Sequence, residues 1–332
     1  MRDVDERPDE CARGVASANG GARRAVPSAK ASGRYRFGEG TFPRIPGNDG
    51  KRNIVGCFLE ISMRGWTFMP YQAHPSFTEP EPATARLWRY MDLAQFLSIL
   101  EKEALFFPSV ATLAEADPYE GEPLPAKFRA AQAGGPDDLR TFRFHCEMLK
   151  HLNFYNSWHM NDGESDAMWK LYLKGSQGIA IQSTVERIQS SFQNTVTHPV
   201  YMALVEYIDY ENFMPPSMPS MLFDSSDYMY KRRAFRHEQE VRIGTYNCDV
   251  RTEFVDNAGF IKAPTPSMTV ADILLYPDRK GVYVPANISA LIDRVVVYPF
   301  AQIWFSPLCK RLGYAFEVVP SEMGRPSRLS LA

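Results

Sequence analysis

From residue 87 onward the chain alternates short apolar segments of strand character with segments of helical character, and this alternation most restricts its fold. The segment 87–90 is aromatic and short, which is typical of a strand. It runs directly into residues 93–100, whose apolar side chains repeat at helical spacing behind Asp92, a candidate N-cap. This beginning predicts a strand followed at once by a helix.

The same alternation continues to residue 319. Strand-like runs follow at 105–107, 156–159, 178–181, 204–208, 241–246, 281–284, 295–298 and 316–319. Helical segments follow at 127–151, 166–174, 185–192, 230–240, 288–292 and 302–312. We therefore predict an α+β fold with a twisted, mixed or antiparallel sheet, which could be split around a cleft, and with flanking helices.

Composition divides the chain into four parts. Residues 1–52 are rich in Arg, Gly, Ala, Ser and Pro, which predicts a disordered tail or an over-extended start. Residues 53–85 read as an irregular segment and a Pro- and Glu-rich linker, 86–322 as one α+β domain, and 323–332 as a flexible tail.

Charge and cysteine usage narrow the class of protein. The 37 basic and 39 acidic residues nearly cancel, so any contact with nucleic acid would need a local patch such as the basic run 231–236. No apolar run approaches the roughly 20 residues of a membrane span, and five scattered cysteines favour a reducing compartment. We expect a cytoplasmic protein with no membrane partner.

Several enzyme classes lack their sequence signatures here. The chain has no Gly-x-Gly-x-x-Gly after a strand, no Walker loop and no Gly-x-Ser-x-Gly elbow. His145, His151 and His159 lack the spacing of a metal site, so no metal is expected.

Five ordered anchors carry a family resemblance. They are the segment 87–90 before its helix, 105–107 with Asp-Pro-Tyr-Glu-Gly at 117–121, Met-Trp-x-x-Tyr at 168–172 with Gly-Ile-Ala-Ile at 178–181, Lys231 through Glu-x-Glu-x-Arg at 238–242, and the valines 295–297. Over residues 86 to 322 the chain resembles a bacterial domain of unknown function, the family DUF 2971, whose name implies no activity.

The order of polar features also resembles the ADP-ribosyltransferase fold of the Arg-Ser-Glu class. That resemblance implies that NAD is the substrate, that ADP-ribose is transferred to an unknown acceptor, and that one cleft holds the groups responsible. The implied NAD-binding residues are Arg89, Tyr90, Ser183 and Thr184, and the implied catalytic residues are Glu240 and Glu238.

Chemistry gives each implied residue a reason. Arg89 can fork two hydrogen bonds onto a pyrophosphate, and Ser183 and Thr184 can hold the nicotinamide ribose and support the Glu. Cleavage of the nicotinamide–ribose bond develops oxocarbenium charge, which a carboxylate such as Glu240 stabilises. Glu238 suits a proton acceptor if the two carboxylates share a face of an extended segment.

Simpler interpretations stay open beside these. Arg89 could pair with a carboxylate, Ser183 could cap the following helix, and Glu238 and Glu240 could be solvated partners of nearby arginines. The alternatives for the whole protein are a non-catalytic ligand- or protein-binding module of the same fold, or a nucleic-acid-binding protein that uses residues 231–236.

Overall fold

The structure is a computed structural model that describes residues 71–73, 77–173, 175, 177–192, 199–214, 225–247, 249–255, 264–311 and 316–324. The predicted tail 1–52, residues 53–70 and 74–76 of the predicted segment 53–85, and residues 325–332 of the predicted tail 323–332 lie outside this described part.

Seven described strands form the main sheet, and four others form two small ladders. The strands are β1 (Arg86–Asp92), β2 (Ala104–Pro108), β3 (Asn153–Met160), β4 (Gly178–Thr184), β5 (Val200–Leu204), β6 (Glu206–Ile208), β7 (Tyr230–Arg232), β8 (Glu240–Tyr246), β9 (Gly281–Pro285), β10 (Arg294–Val297) and β11 (Glu317–Pro320). The main sheet has the order β11-β10-β4-β1-β3-β8-β5, while β2 pairs with β9 and β6 with β7.

Helices cover the sheet and fill its connections. The described α-helices are α1 (Leu93–Lys102), α2 (Val110–Leu113), α3 (Pro125–Ala133), α4 (Pro136–Leu152), α5 (Asp166–Tyr172), α6 (Val185–Ser191), α7 (Val270–Ile273), α8 (Ile288–Leu291) and α9 (Phe305–Arg311). Short 3₁₀ helices span Ser225–Met229, Arg233–Glu238, Thr252–Phe254 and Glu322–Gly324.

The predicted α+β class is confirmed, and the main sheet is mixed. Only β10 and β11 run parallel in it; its other described pairs are antiparallel. Strands β1 and β4 pair at all seven positions of each strand, whereas β1 and β3 pair only at Leu87–Met160 and Trp88–His159. The ladder between the two central strands therefore ends just before Arg89.

The two faces of this sheet bury different side chains. One face carries Leu87, Ile181, Val241 and their apolar neighbours, which pack against α1, α6, α8 and α9. The opposite face carries two smaller aromatic clusters, one around Trp88, Tyr90 and Trp169, the other around Tyr155, Tyr201 and Tyr228. Opposed residues of an antiparallel pair share a face, so the register assigns each strand residue to one side.

Local sequence explains where several elements begin. Asp92 caps α1 by accepting from the Gln95 backbone N–H, and the Gln95 side chain accepts from the Asp92 N–H, so this predicted N-cap is confirmed. The single helix predicted over 127–151 is instead α3 and α4, because Gly134-Gly135-Pro136 interrupts the helical backbone.

Two other predicted segments also differ from the structure. The segment 230–240 was predicted to be helical, but it contains β7, a 3₁₀ turn and the first residue of β8. The described part of the predicted linker joins the body: Tyr71 forms a parallel bridge with Val200, and the Leu204 N–H donates to the Thr78 carbonyl. Backbone pairing with β5 therefore orders residues that composition suggested were a spacer.

No described helix combines the length and apolar character that a membrane crossing requires.

Candidate functional site

A buried arginine organises the polar centre of the aromatic face. Arg242 of β8 forks onto Glu120, with Nη1–Oε1 at 2.6 Å and Nη2–Oε2 at 2.9 Å. Its Nε donates to Glu240 Oε1 at 2.8 Å, and Nη1 also donates to the Tyr228 carbonyl. Bidentate, charge-assisted hydrogen bonds of this kind pair the two charges and also fix the relative orientation of the two side chains.

Lys231 of β7 joins the same carboxylates from the other side. Its Nζ lies 2.8 Å from Glu238 Oε2, 2.8 Å from Glu240 Oε2 and 3.9 Å from Glu120 Oε2. We call Glu120, Lys231, Glu238, Glu240 and Arg242 the ion cluster. It holds three carboxylates against two cations.

An unusual backbone turn brings the two predicted catalytic carboxylates together. Glu238 ends a 3₁₀ helix, Gln239 has a left-handed φ of 40°, and Glu240 begins β8. The segment is thus neither one strand nor one helix, yet both carboxylates reach the same Lys231 ammonium. A left-handed residue other than glycine is uncommon and is retained here by the surrounding contacts.

The third carboxylate depends on a glycine turn. Glu120 lies in the loop 117–121, where Gly121 has φ +78° and a Cβ would lie 2.3 Å from the Val110 side chain. The Asp117 carboxylate accepts from the Tyr119 N–H, which tightens this loop. Glycine at 121 thus allows the loop to place Glu120 over Arg242.

Electrostatics keep Glu240 ionised. Burial alone would raise the pKa of the Glu240 carboxyl, but Arg242 and Lys231 outweigh burial and hold that pKa well below its ordinary range. Burial likewise opposes the charge of Lys231, and Glu240 with its neighbouring carboxylates nevertheless raises the Lys231 pKa. Glu240, Lys231 and Arg242 therefore stay charged over the physiological pH range.

The cluster is more exposed at one end than at the other. Side-chain exposure is 13% for Lys231 and 10% for Glu238, but 5% for Glu240 and 1% for Arg242. Solvent therefore reaches the cluster mainly from the side of Lys231 and Glu238.

Arg89 lies where the ladder between β1 and β3 ends, and it pairs with Ile181 of β4, so its Cβ is on the apolar face of the sheet, as are those of Leu87 and Ser183. Its guanidinium is linked to the ion cluster through Ser157 and through Tyr172, whose hydroxyl feels the charges of Arg89, Glu238 and Glu240. Arg89 Nη1 donates to the Ser157 carbonyl at 2.6 Å, and no carboxylate of the described residues lies within ion-pair distance of it. Burial lowers the pKa of Arg89 to about 10, and nearby Tyr172 opposes that shift. The guanidinium therefore stays charged at neutral pH. The carboxylate pairing considered for Arg89 is not observed among the described residues.

Three tyrosines border this region. The Tyr207 hydroxyl accepts from the Glu240 N–H, and burial raises its pKa to about 12. The ring of Tyr172 is 46% exposed, and its hydroxyl feels the charges of Glu238 and Glu240. Tyr90, a predicted NAD-binding residue, instead packs edge-on against Trp169 and accepts from the Ser165 N–H. Tyr90 is thus a packing residue in this structure.

Ser183 and Thr184 do not join the cluster. Ser183 pairs with Leu87 in register, which puts its side chain on the face opposite His159 and Glu240, and its Oγ donates to the Leu291 carbonyl at 2.5 Å. Thr184 caps α6 by accepting from the Arg187 N–H. The predicted convergence of Ser183 with Glu240 is therefore absent, because strand alternation turns Ser183 toward the apolar core.

Sequence reasoning missed Ser157 as the hydroxyl beside the carboxylate. Ser157 Oγ donates to Glu240 Oε1 at 2.6 Å, since Ser157 pairs with Arg242 across the β3–β8 ladder. The ladder also sets His159 opposite Glu240. The only signal in the sequence was the strand character of Asn156-Ser157-Trp158-His159. Strand character alone does not identify the partner strand.

Comparisons of the chain with family models, with curated proteins and with solved structures found no match. The described residues also contain no group of three His, Cys, Asp or Glu side chains arranged to hold a metal ion.

Proposed function

We propose that the protein binds NAD at the end of the ion cluster nearest Arg89. The observation that carries the proposal is Arg89 itself, a charged arginine without a carboxylate partner among the described residues. Desolvation of a guanidinium is unfavourable unless other groups compensate, and a pyrophosphate offers a bidentate partner. Arg89 is the group we assign to the phosphates.

The ribose of the nicotinamide half would then lie toward Glu240. An ionised carboxylate stabilises the oxocarbenium charge that develops as the nicotinamide–ribose bond breaks. Glu240 meets this requirement because its neighbours keep it ionised, and Ser157 holds its Oε1 in place. Ser157 on β3 takes the supporting role that the sequence had suggested for Ser183.

The reaction in this proposal is transfer of ADP-ribose. The bond between C1′ and the nicotinamide nitrogen breaks, and its electron pair neutralises the pyridinium ring, so nicotinamide leaves. The nucleophile of an acceptor forms the new bond to C1′ and loses one proton. This is the ADP-ribosyltransferase-like activity, with an unknown acceptor, in a cytoplasmic protein of the DUF 2971 type.

A second function, binding without catalysis, is favoured by the saturation of Glu240. Its two oxygens already accept from Ser157, from Arg242 Nε and Nη2, and from Lys231. A carboxylate held so completely can serve structure alone, and Arg89 would then anchor a nucleotide that is not cleaved.

The nucleic-acid alternative is weakened by the placement of the basic run. Lys231 is part of the ion cluster, and Arg232 pairs with Asp117 at 2.9 Å and stacks over Tyr119. Of the four basic residues in this run, only Arg233 and Arg236 are exposed. Two exposed arginines offer few contacts to a phosphate backbone.

The test of chemistry is release of nicotinamide from labelled NAD by the full chain, with and without cell lysate. We expect release by the wild type and loss of release in Arg89→Ala and Glu240→Gln. Thermal denaturation of each variant shows whether it has folded, which matters most for Glu240→Gln because it disturbs buried pairs.

The same set of variants distinguishes NAD binding from NAD cleavage. If NAD binds to the wild type without release, and Arg89→Ala weakens binding, the non-catalytic function is supported. If NAD neither binds nor loses nicotinamide with the wild type, the proposal is wrong and the ion cluster is purely structural.

A further inference from the structure

His159 is a buried histidine beside the ion cluster. It is 7% exposed and lies directly between Trp88 of β1 and Glu240 of β8 in the sheet register. Directly opposed residues of an antiparallel pair share a face, with Cβ atoms about 5 Å apart. The imidazole therefore lies on the same face as the Glu240 carboxylate and next to it.

One hydrogen bond fixes the tautomer of this ring. Nδ1 lies 2.5 Å from the carbonyl oxygen of Glu238. A carbonyl can only accept, so Nδ1 carries the proton and Nε2 carries a lone pair. Burial lowers the pKa of His159, and the Glu238 carbonyl opposes that shift, so the ring is neutral at pH 7.

The lone pair on Nε2 is left without a donor. Nε2 is buried and has no hydrogen-bond partner in the described part of the chain. Buried polar atoms are nearly always satisfied, so an unpaired one calls for an explanation, and a catalytic role is one of the recognised explanations. By contrast, the nearby Glu240 carboxylate already accepts from Ser157 and Arg242, and Glu238 Oε2 accepts from Lys231 Nζ.

We propose that His159 is the catalytic base of the transfer, accepting the proton of an acceptor hydroxyl on Nε2. This inference rests on the proposed function and moves the proton-accepting role from Glu238 to His159. The acceptor oxygen forms the bond to C1′, its proton passes to Nε2, and nicotinamide leaves with the electron pair of the broken bond. The products are the ADP-ribosylated hydroxyl, nicotinamide and a protonated His159.

Several titratable groups surround His159 and define the controls. Tyr90 of β1 lies 6.4 Å away between ring centroids, Glu240 lies opposite on β8, and Glu238 and His237 belong to the adjoining 3₁₀ helix. His237 is a second histidine close to His159, and it is exposed. His237→Gln is thus the matched control for removing a histidine at this place.

The first readout needs no substrate. Nitrogen-15 NMR of the histidine side chains in the full chain reports which ring nitrogen carries the proton. We expect the Nδ1–H tautomer for His159, with a pKa below the ordinary histidine value. A His159 protonated on Nε2 at pH 7 would overturn the proposal, because no lone pair would then be open.

The second readout is nicotinamide release against pH. Release by the wild type should fall as pH drops through the pKa of His159, because imidazolium cannot accept a proton. His159→Gln should lose about 100-fold or more in turnover, within the range for a general base, and should lose this pH dependence. His237→Gln should keep both.

The outcomes distinguish this inference from the proposed function. No release from the wild type overturns both together. Release that persists in His159→Gln with an unchanged pH profile overturns the base alone and leaves NAD cleavage standing. If His159→Gln does not fold, the tautomer and the wild-type profile still decide, since a profile without a break below about pH 6.5 contradicts the base.

Discussion

One face of the main sheet buries mostly apolar side chains, whereas the other face buries charged side chains that each have several partners. On the first face, Leu87, Ile181 and Val241 pack against helices, and Ser183 satisfies its hydroxyl on one carbonyl. On the second face, Arg242 and Glu240 are nearly as buried as those apolar residues. The difference shows that one β-strand such as β8 can bury apolar and charged side chains on alternate residues.

The charged face should respond most strongly to truncation. Replacing Arg242 by Met leaves Glu120 and Glu240 buried without their main partner, which typically costs about 3–5 kcal/mol. Urea denaturation measures the loss. A change below about 1 kcal/mol would mean that the carboxylates rearrange to reach solvent, and that the face is not rigid.

On the apolar face, a truncation should lower stability by creating a cavity. Leu87 is fully buried, so Leu87→Ala should lower the free energy of unfolding by about 3 kcal/mol through lost contacts and the space left behind. Chemical denaturation again gives the value. Because Leu87 takes no part in the proposed site, NAD affinity should stay unchanged at a temperature where the variant is folded. A large loss of affinity would show that the packing of β1 around Leu87 also positions Arg89.

Two serines provide the closest comparison between the faces. Ser183→Ala and Ser157→Ala each remove one hydrogen bond, at a cost of about 1 kcal/mol in stability. Of the two variants, only Ser157→Ala should also slow nicotinamide release, because Ser157 donates to Glu240 and Ser183 does not. Equal effects of both serines on release would contradict the assignment of faces.

The smallest expected effect is the pH dependence due to His159. Its pKa is lowered by burial in the folded state, so the unfolded chain takes up a proton first as pH falls. Stability is complete above about pH 6.5 and declines below it toward the folded pKa. Thermal denaturation at pH 7.5 and pH 5.5 should show a modest decline that His159→Gln removes.

Glu240 extends this decline at lower pH. Its pKa is held far below the ordinary range, so its contribution is complete above about pH 4.5 and is lost as pH falls further. If Arg242→Met has the same acid sensitivity as the wild type, the low pKa of Glu240 does not depend on Arg242.

Local signals in the sequence predicted most of the elements. The Asp92 cap and the strand 178–181 correspond to α1 and β4, because capping chemistry and apolar runs act over a few residues. Residues 230–240 were predicted incorrectly. The left-handed Gln239 accepts a backbone hydrogen bond from Met160 of β3, a distant contact that local sequence does not reveal.

The candidate site was less predictable because it depends on register. Glu238, Glu240 and Arg89 were identified by residue type and order. However, Ser157, which donates to Glu240, lies 83 residues earlier in the chain, and Arg242 connects Glu240 to the distant Glu120. Pairing β3 with β8 decides which hydroxyl meets the carboxylate. A single sequence gives no register between strands so far apart.

The central claim is that Arg89 and the ion cluster form a ligand site, while Ser183 belongs to the core. Calorimetric titration of NAD into the wild type, Arg89→Ala and Ser183→Ala tests it most directly. We predict binding by the wild type, about tenfold or more weaker binding by Arg89→Ala as expected for one lost charge-assisted contact, and no change in Ser183→Ala. Absence of binding by the wild type, or equal weakening in both variants, would contradict it.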